Sequence, residues 1–266
     1  MTPGWVELRR WTLEVLRELG IKPSERLGQH FLVDPVGLRL FIEPLSRLGS
    51  LEMLEVGPGL GVITRYASEI ASRIVAVELD PRLASYLQSS MPGNVAVILG
   101  DGVEHATATR VSVVYSNTPY SISSPLIAAI ARNNNVAHAI LGVQLELAMR
   151  IAAKPGEESY GRLTLLANRY FNVRLVGVIP RSSYYPEPEV SGAVVELHRR
   201  REWVEGDEAF EDLTRCLFSE RNKKASKVAS RCLGVGVEEL SWLGGRRVRE
   251  LTLEDVEKLL AMTMRR

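Results

Sequence analysis

Between residues 51 and 153 the sequence alternates short apolar, β-branched runs with stretches of helical spacing, and this alternation most narrows the possible folds. Leu51–Val56, Ile74–Leu79, Val95–Leu99, Val111–Tyr115 and Ala139–Gln144 have the composition of buried strands. Ile63–Ala71, Pro81–Ser90, Pro125–Asn133 and Leu145–Ala153 have that of the helices between them. Strands covered by helices on both faces read as continuous hydrophobic runs rather than alternating ones. The expected fold is therefore α/β, a doubly wound parallel sheet. Asn172–Ile179 and Gly192–His198, separated by the turn-rich Pro180–Ser191, are expected to close the sheet as an antiparallel pair. Upstream, Trp5, Leu8, Trp11, Val15, Leu16 and Leu19 share one helical stripe that Gly20 ends. Beyond Arg199-Arg200-Arg201 only helices are expected, at Phe210–Phe218, Lys223–Leu233 and Leu253–Met262, the last opened by a Thr252/Asp255 capping box. The expected division is a sheet domain at 1–200 and a small helical domain at 201–266.

Composition excludes more than it identifies. With 266 residues, 45% hydrophobic and 24% charged, the chain is long and apolar enough to bury a core, which rules out a disordered chain and a disulfide-stapled mini-fold. No apolar run approaches a membrane span. Met1–Leu19 carries charges where a signal peptide would be apolar, so a cytoplasmic protein is expected. Cys216 and Cys232, the only cysteines, are far apart and indicate neither a zinc knuckle nor a secreted framework. A net charge of +1 announces no nucleic-acid partner, but all but six of the 33 cations are arginine. That bias suits RNA phosphates and bases; a GC-rich genome or a hot habitat would produce it as well.

The sharpest local signal is Leu54-Glu55-Val56-Gly57-Pro58-Gly59-Leu60-Gly61, at the turn between the first core strand and its helix. Such a turn brings backbone N–H groups close to a ligand, although a plain tight turn has the same composition. Val62 stands where the dinucleotide fingerprint needs a small residue, and no GK[ST] follows, which excludes a P-loop. Glu78 ends the next strand about 20 residues on, where an acid receives ribose hydroxyls; Leu79 and Asp80 follow it. A carboxylate there would repel phosphate and accept hydroxyls. A cofactor with a ribose and an adenine but no pyrophosphate fits best, which describes S-adenosylmethionine. A solvated strand-end acid is the plainer reading of Glu78.

After the fourth core strand comes Ser116-Asn117-Thr118-Pro119-Tyr120. Methylating an exocyclic base amine is difficult because the nitrogen lone pair is delocalised into the ring. The side-chain oxygen of Asn117 and the carbonyl of Pro119 would pull on the two amine hydrogens and free that lone pair. Tyr120 would stack on the base, a contact worth roughly 1–3 kcal/mol.

Together these motifs resemble the ribosomal RNA adenine dimethyltransferase family over most of the chain. Leu27-Gly28-Gln29-His30-Phe31-Leu32-Val33-Asp34 is similar to its LGQNFLxD, Glu55–Gly61 to EIGPGxG, Glu78-Leu79-Asp80 to E-x-D, and Asn117–Tyr120 to NLPY. Ser121–Leu126, Gln144–Arg150, Ala153–Gly156 and Tyr160–Leu163 continue the series, and Tyr184–Val190 is similar to F-x-P-x-P-x-V. The resemblance implies a Rossmann-like class I methyltransferase sheet. It also implies S-adenosyl-L-methionine-dependent dimethylation of N6 on two adjacent adenosines near the 3′ end of small-subunit rRNA, by a monomer on a pre-ribosomal particle. It implies cofactor contacts from Gln29, His30, Leu32, Gly57, Gly59, Glu78, Leu79, Asp101, Gly102 and Asn117, with Asp101 receiving the adenine amine. By itself Asp101 would read as a turn aspartate. Tyr184 would face Tyr120 across a flipped-out base, unless Tyr184 and Tyr185 merely edge a hairpin loop. Departures from the pattern are His30 for Asn, Thr118 for Leu, Tyr184 for Phe and Gly192 for Ser. Arg221, Lys223, Lys224 and Lys227 form a basic run expected to meet rRNA phosphates, with Arg246, Arg247 and Arg249 as a second patch; a solvated helix face is the plainer alternative. A large-subunit rRNA methyltransferase of the antibiotic-resistance type, or a non-catalytic ribosome-assembly factor on the same scaffold, remains open from sequence.

Overall fold

The computed structural model describes residues 7–263, so Trp5 of the amino-terminal stripe lies outside the described residues. Their strands are β1 (Phe31–Leu32), β2 (Glu52–Val56), β3 (Arg73–Glu78), β4 (Val95–Leu99), β5 (Val113–Asn117), β6 (His138–Gln144), β7 (Phe171–Ile179), β8 (Tyr184–Tyr185) and β9 (Gly192–Arg199). Their helices are α1 (Leu8–Glu18), α2 (Pro35–Leu48), α3 (Val62–Ala67), α4 (Pro81–Ser90), α5 (Gly102–Ala108), α6 (Ser123–Arg132), α7 (Leu145–Ala152), α8 (Arg162–Tyr170), α9 (Glu208–Phe218), α10 (Ala225–Leu233) and α11 (Leu253–Thr263). None of these helices is long and apolar enough to cross a membrane.

The chain forms two compact units, residues up to 148 with 173–199, and residues 149–172 with 200 onward. The first holds a sheet in the order β4-β3-β2-β5-β6-β9-β7. Strands β2 to β6 pair in parallel and β9 runs antiparallel to β6. The chain winds outward from β2 through β3 to β4, then returns to the other side of β2 for β5 and β6. The carboxyl ends of β2 and β5 therefore flank the point where winding reverses, the usual ligand crevice of such sheets. Asp34 and Asp80 cap α2 and α4 with their carboxylates, and a proline opens each helix. A fully buried set including Leu38, Phe41, Met53, Ile74, Tyr115 and Ile140 packs between α2, α3 and the sheet. A smaller two-stranded sheet pairs β1 with β8, Phe31 opposite Tyr185 and Leu32 opposite Tyr184.

The second unit is helical, and its core includes Tyr160, Leu165, Phe210, Leu217, Val228, Leu240, Val256 and Leu259. A single cut near residue 200 thus omits part of it: residues 149–172 supply Tyr160 and Leu165 to this core. The Tyr160 hydroxyl donates to the Leu251 carbonyl at 2.7 Å. The Thr252/Asp255 capping box forms as expected, the Asp255 N–H donating to the Thr252 hydroxyl at 3.1 Å and the Thr252 N–H to the Asp255 carboxylate at 2.9 Å.

Cys216 and Cys232 are joined in a disulfide across a separation of 16 residues. Spacing alone could not show this, because the turn after α9 brings α10 back alongside it. The cross-link closes the loop that carries the basic run. Replacing both cysteines by serine is expected to lower the unfolding free energy by about 3 kcal/mol, the chain-entropy value for a loop of this size. Denaturant titration measures the loss. In parallel, alkylation of the unreduced native protein followed by mass analysis should label neither cysteine, and labelling of both would count against the pairing.

Candidate active site

The glycine turn leaves β2 with Gly57, Gly59 and Gly61 all at left-handed φ, and β3 holds it in place. The Gly57 N–H donates to the Val77 carbonyl at 2.9 Å, and the Gly59 N–H donates to Oε2 of Glu78 at 3.0 Å. The other oxygen of Glu78 accepts the Asp80 N–H at 2.8 Å. Burial pushes the Glu78 carboxyl up from its ordinary value, against the pull of these two N–H groups. Asp80 sits differently. Arg82 chelates it at 2.8 and 3.1 Å, Gln29 donates to it at 3.1 Å, and its carboxyl is held down to about 2, first through Arg82.

The tetrapeptide turn leaves β5 beside this loop. Ser116 ties β5 to β2 through its hydroxyl on the Val56 carbonyl at 2.7 Å. The Asn117 Nδ2 donates to the His30 carbonyl at 3.3 Å, which orients the amide with Oδ1 as its remaining acceptor. The Pro119 carbonyl accepts the Ile122 N–H at 3.0 Å and the Ser123 hydroxyl at 3.4 Å. The second of these is long and can rotate away, leaving one lone pair for a ligand. The Pro119 ring is where three distant segments meet: a methyl on Gly28 would lie 3.3 Å from it and one on Gly57 3.6 Å. Only glycine lets both backbones, each at positive φ, approach so closely.

The three segments enclose a cavity of about 210 Å³. It is lined by every residue expected to hold a cofactor: Gln29, His30, Leu32, Gly57, Gly59, Glu78, Leu79, Asp101, Gly102 and Asn117, with Pro119. Asp101 caps α5, its Oδ1 accepting the Val103 N–H at 2.7 Å and the Glu104 N–H at 3.3 Å, so its second oxygen is the one left for a ligand. The lining carries three acids, Glu55, Glu78 and Asp101, against Arg26 and His30. Such a wall suits hydroxyls, an adenine amine and a sulfonium, and repels pyrophosphate, so the residues present fit S-adenosylmethionine.

Tyr120 and Tyr184 do not line this cavity. Tyr120 opens a short 3-10 turn, half-buried, with its hydroxyl buried and unpaired. Tyr184 is 4% exposed and packs in the core with Leu32 and Tyr115, and burial, with the Tyr120 phenol as a lesser cause, pushes its hydroxyl well above the ordinary tyrosine value. Tyr184 is therefore a buried wall rather than a free stacking ring, which corrects the expectation of two open rings facing each other. A methyl on Gly192 would lie 2.5 Å from the Tyr184 hydroxyl. Two departures from the family pattern thus compensate, the bare Gly192 making room for the oxygen that Tyr184 adds to phenylalanine. The basic run divides as well. Lys223, Lys224 and Lys227 are exposed and line one depression of the second unit with Arg231 and Arg247. Arg221 instead donates to the Glu158 carbonyl and does not line that depression. Arg246 pairs with Asp255 at 2.6 Å, leaving Arg247 as the member of its trio that faces the depression.

Against known proteins, the model of the ribosomal RNA adenine dimethylase family matches residues 21–261. The chain belongs to that family. A probable ribosomal RNA small subunit methyltransferase A from Aeropyrum pernix is 49% identical over 210 residues, 78% of this chain and 76% of that protein. Another of that name from Pyrobaculum islandicum is 39% identical over 236 residues, 89% and 94%. Among solved structures, a dimethyladenosine transferase from Plasmodium falciparum matches the fold with a TM-score of 0.77 at 24% identity, over 89% of this chain and 98% of that one. The 23S rRNA methyltransferase ErmE matches with a TM-score of 0.66 at 25% identity, over 88% and 99%. The adenine-dimethylase fold thus carries the turn, the acids and the tetrapeptide at one sheet edge.

Glu55, missed as a functional group by sequence, lies in the same wall. It is 1% exposed, accepts the Tyr115 hydroxyl at 2.9 Å, and burial raises its carboxyl to about 7. Because the folded value lies above the ordinary 4.5, its stabilisation is complete below pH 4.5 and is lost as pH rises through about 7. Glu55→Gln is expected to flatten that loss, on the order of 3 kcal/mol at 1.4 kcal/mol per pH unit, in urea melts at pH 5 and pH 8. An unchanged slope would place the titration elsewhere. For the Tyr184 pocket, Gly192→Ser is expected to cost about 1–3 kcal/mol by overpacking. Adding Tyr184→Phe should recover most of that loss in thermal melts.

Proposed function

We propose that the protein dimethylates N6 of two adjacent adenosines near the 3′ end of small-subunit rRNA, as a monomer on a pre-ribosomal particle, with S-adenosylmethionine as methyl donor. The observation that carries this reading is the convergence of Asn117 and Pro119, the glycine loop and Glu78 on one cavity. The names borne by the archaeal relatives support the small subunit as target.

Glu78 would receive ribose hydroxyls on the lone pairs its two N–H partners leave, and Asp101 the adenine amine. The cofactor, when bound, supplies a methyl group activated by its sulfonium. Asn117 Oδ1 and the Pro119 carbonyl would accept the hydrogens of the target amine, drawing its lone pair out of conjugation. Tyr120 would support the base face, with Tyr184 behind it. Lys223, Lys224 and Lys227, with Arg231 and Arg247, would meet RNA phosphates.

The likeness to ErmE favours a second reading, methylation of large-subunit rRNA. Incubating the protein with labelled cofactor and either unmethylated small subunits or naked large-subunit rRNA, then mapping modified adenosines by mass, separates the two. Dimethyl marks on two neighbouring small-subunit adenosines are expected, and marks on large-subunit rRNA alone would defeat the proposal. Asn117→Ala should abolish transfer yet keep subunit binding. A wild type that binds but never transfers would reassign the chain to an assembly factor. Charge reversal at Lys223 and Lys224 is expected to weaken rRNA binding and to flatten its log–log salt dependence by about 1–2, with cofactor binding intact.

A further inference from the structure

His30 stands where the family pattern has asparagine, and its side chain links the edge of the cofactor cavity to the turn that follows β8. Its Nδ1 lies 2.8 Å from the Pro186 carbonyl, in the turn that follows β8. A carbonyl can only accept, so Nδ1 is the protonated nitrogen and donates. Its ring stacks on Tyr120, centroids 5.8 Å apart and planes 27° from parallel. Its main-chain carbonyl holds the Asn117 amide. One residue therefore touches the first and last members of the Asn117–Tyr120 tetrapeptide and the loop behind Tyr184.

We propose that His30 is a positioning residue for the target adenine, a strut whose Nδ1–H···O=C bond to Pro186 holds the Tyr120 wall and the Asn117 acceptor in register. The substitution of histidine for asparagine is explained by atom placement. Asparagine carries its Nδ2 donor on Cγ, the same position from which histidine presents Nδ1. The hydrogen bond survives the exchange, and the imidazole adds a ring face beside Tyr120. The strut lies within the first unit, so it acts on the base site and not on the basic depression of the second.

This inference rests on the adenine-methylation reading and deepens it, and the experiment keeps the two apart. Methyl transfer to small subunits is measured for the wild type and for His30→Ala, His30→Phe and His30→Asn in the full-length protein, with cofactor affinity and melting temperature measured beside it. His30→Ala and His30→Phe lose the donor. Their kcat is expected to fall by about tenfold or more, the scale on which small misplacements act, with melting temperature little changed and, because His30 also lines the cofactor cavity, a smaller loss in cofactor affinity. His30→Asn keeps the donor and is expected to recover most of that loss. Amide exchange in cofactor-free protein should quicken at residues 184–190 in the Ala and Phe variants and not in the Asn variant. Equal losses in Phe and Asn, or a loss expressed wholly in cofactor affinity or melting temperature, would overturn the strut. A wild type with no transfer would instead sink the methylation reading, leaving the exchange pattern as the test of the strut itself.

Discussion

The buried carboxylate of Glu78 is the constraint on which the site is built. A carboxylate 6% exposed is costly to keep ionised unless its oxygens are hydrogen-bonded. Its partners here are two main-chain N–H groups, those of Gly59 and Asp80. That pairing does two things at once. It pins the middle of the glycine turn to the end of β3, and it leaves the acid under-satisfied, since a carboxylate has about four lone-pair sites. The upward displacement of its carboxyl shows that burial outweighs the two donors. Additional donors would lower the cost, and vicinal hydroxyls are a pair of donors at suitable spacing. The neighbouring Asp80 shows the other limit: with Arg82 and Gln29 on it, its charge is already met.

The sheet was legible in the sequence because buried parallel strands must be apolar on both faces, which leaves runs such as Ile74–Leu79 with little else to be. The cofactor wall was legible because it consists of strand ends and the turns after them, and each motif lies just past a readable strand. What stayed hidden depends on contacts between residues distant in the chain. Strands β1 and β8 have two residues each and exist through their pairing with each other, so no local pattern marks them. Helix α5 is short and begins at the cap made by Asp101, a residue whose sequence context is equally that of a turn. Residues 149–172 follow a β-α pattern continuous with the sheet, yet Tyr160 and Leu165 face a core completed by residues beyond 210. Arg221 carries the same charge as Lys223, and only the fold shows that the Glu158 carbonyl engages it.

The tetrapeptide turn is held from both ends, which explains how a segment of this irregular conformation can place two acceptors. On its amino side the Ser116 hydroxyl locks β5 to β2, and the Thr118 N–H donates to the Gly142 carbonyl of β6 at 2.9 Å. On its carboxyl side the chain runs directly into α6, so the turn inherits that helix's position. The far end of α6 is fixed by Arg199, whose guanidinium donates to the Ile130, Ala131, Asn133 and Val136 carbonyls. A cation at a helix carboxyl terminus satisfies carbonyls that have no intrahelical partner and opposes the negative end of the dipole. Arg199 closes β9, the strand antiparallel to β6. The acceptors of Asn117 and Pro119 are therefore referenced to three strands and a capped helix, a rigid frame. The exposed lysines of the second unit ride on a loop closed by a disulfide. Chemistry at a single nitrogen needs the first kind of support, whereas phosphate attraction acts over a Debye length of about 8 Å and tolerates the second.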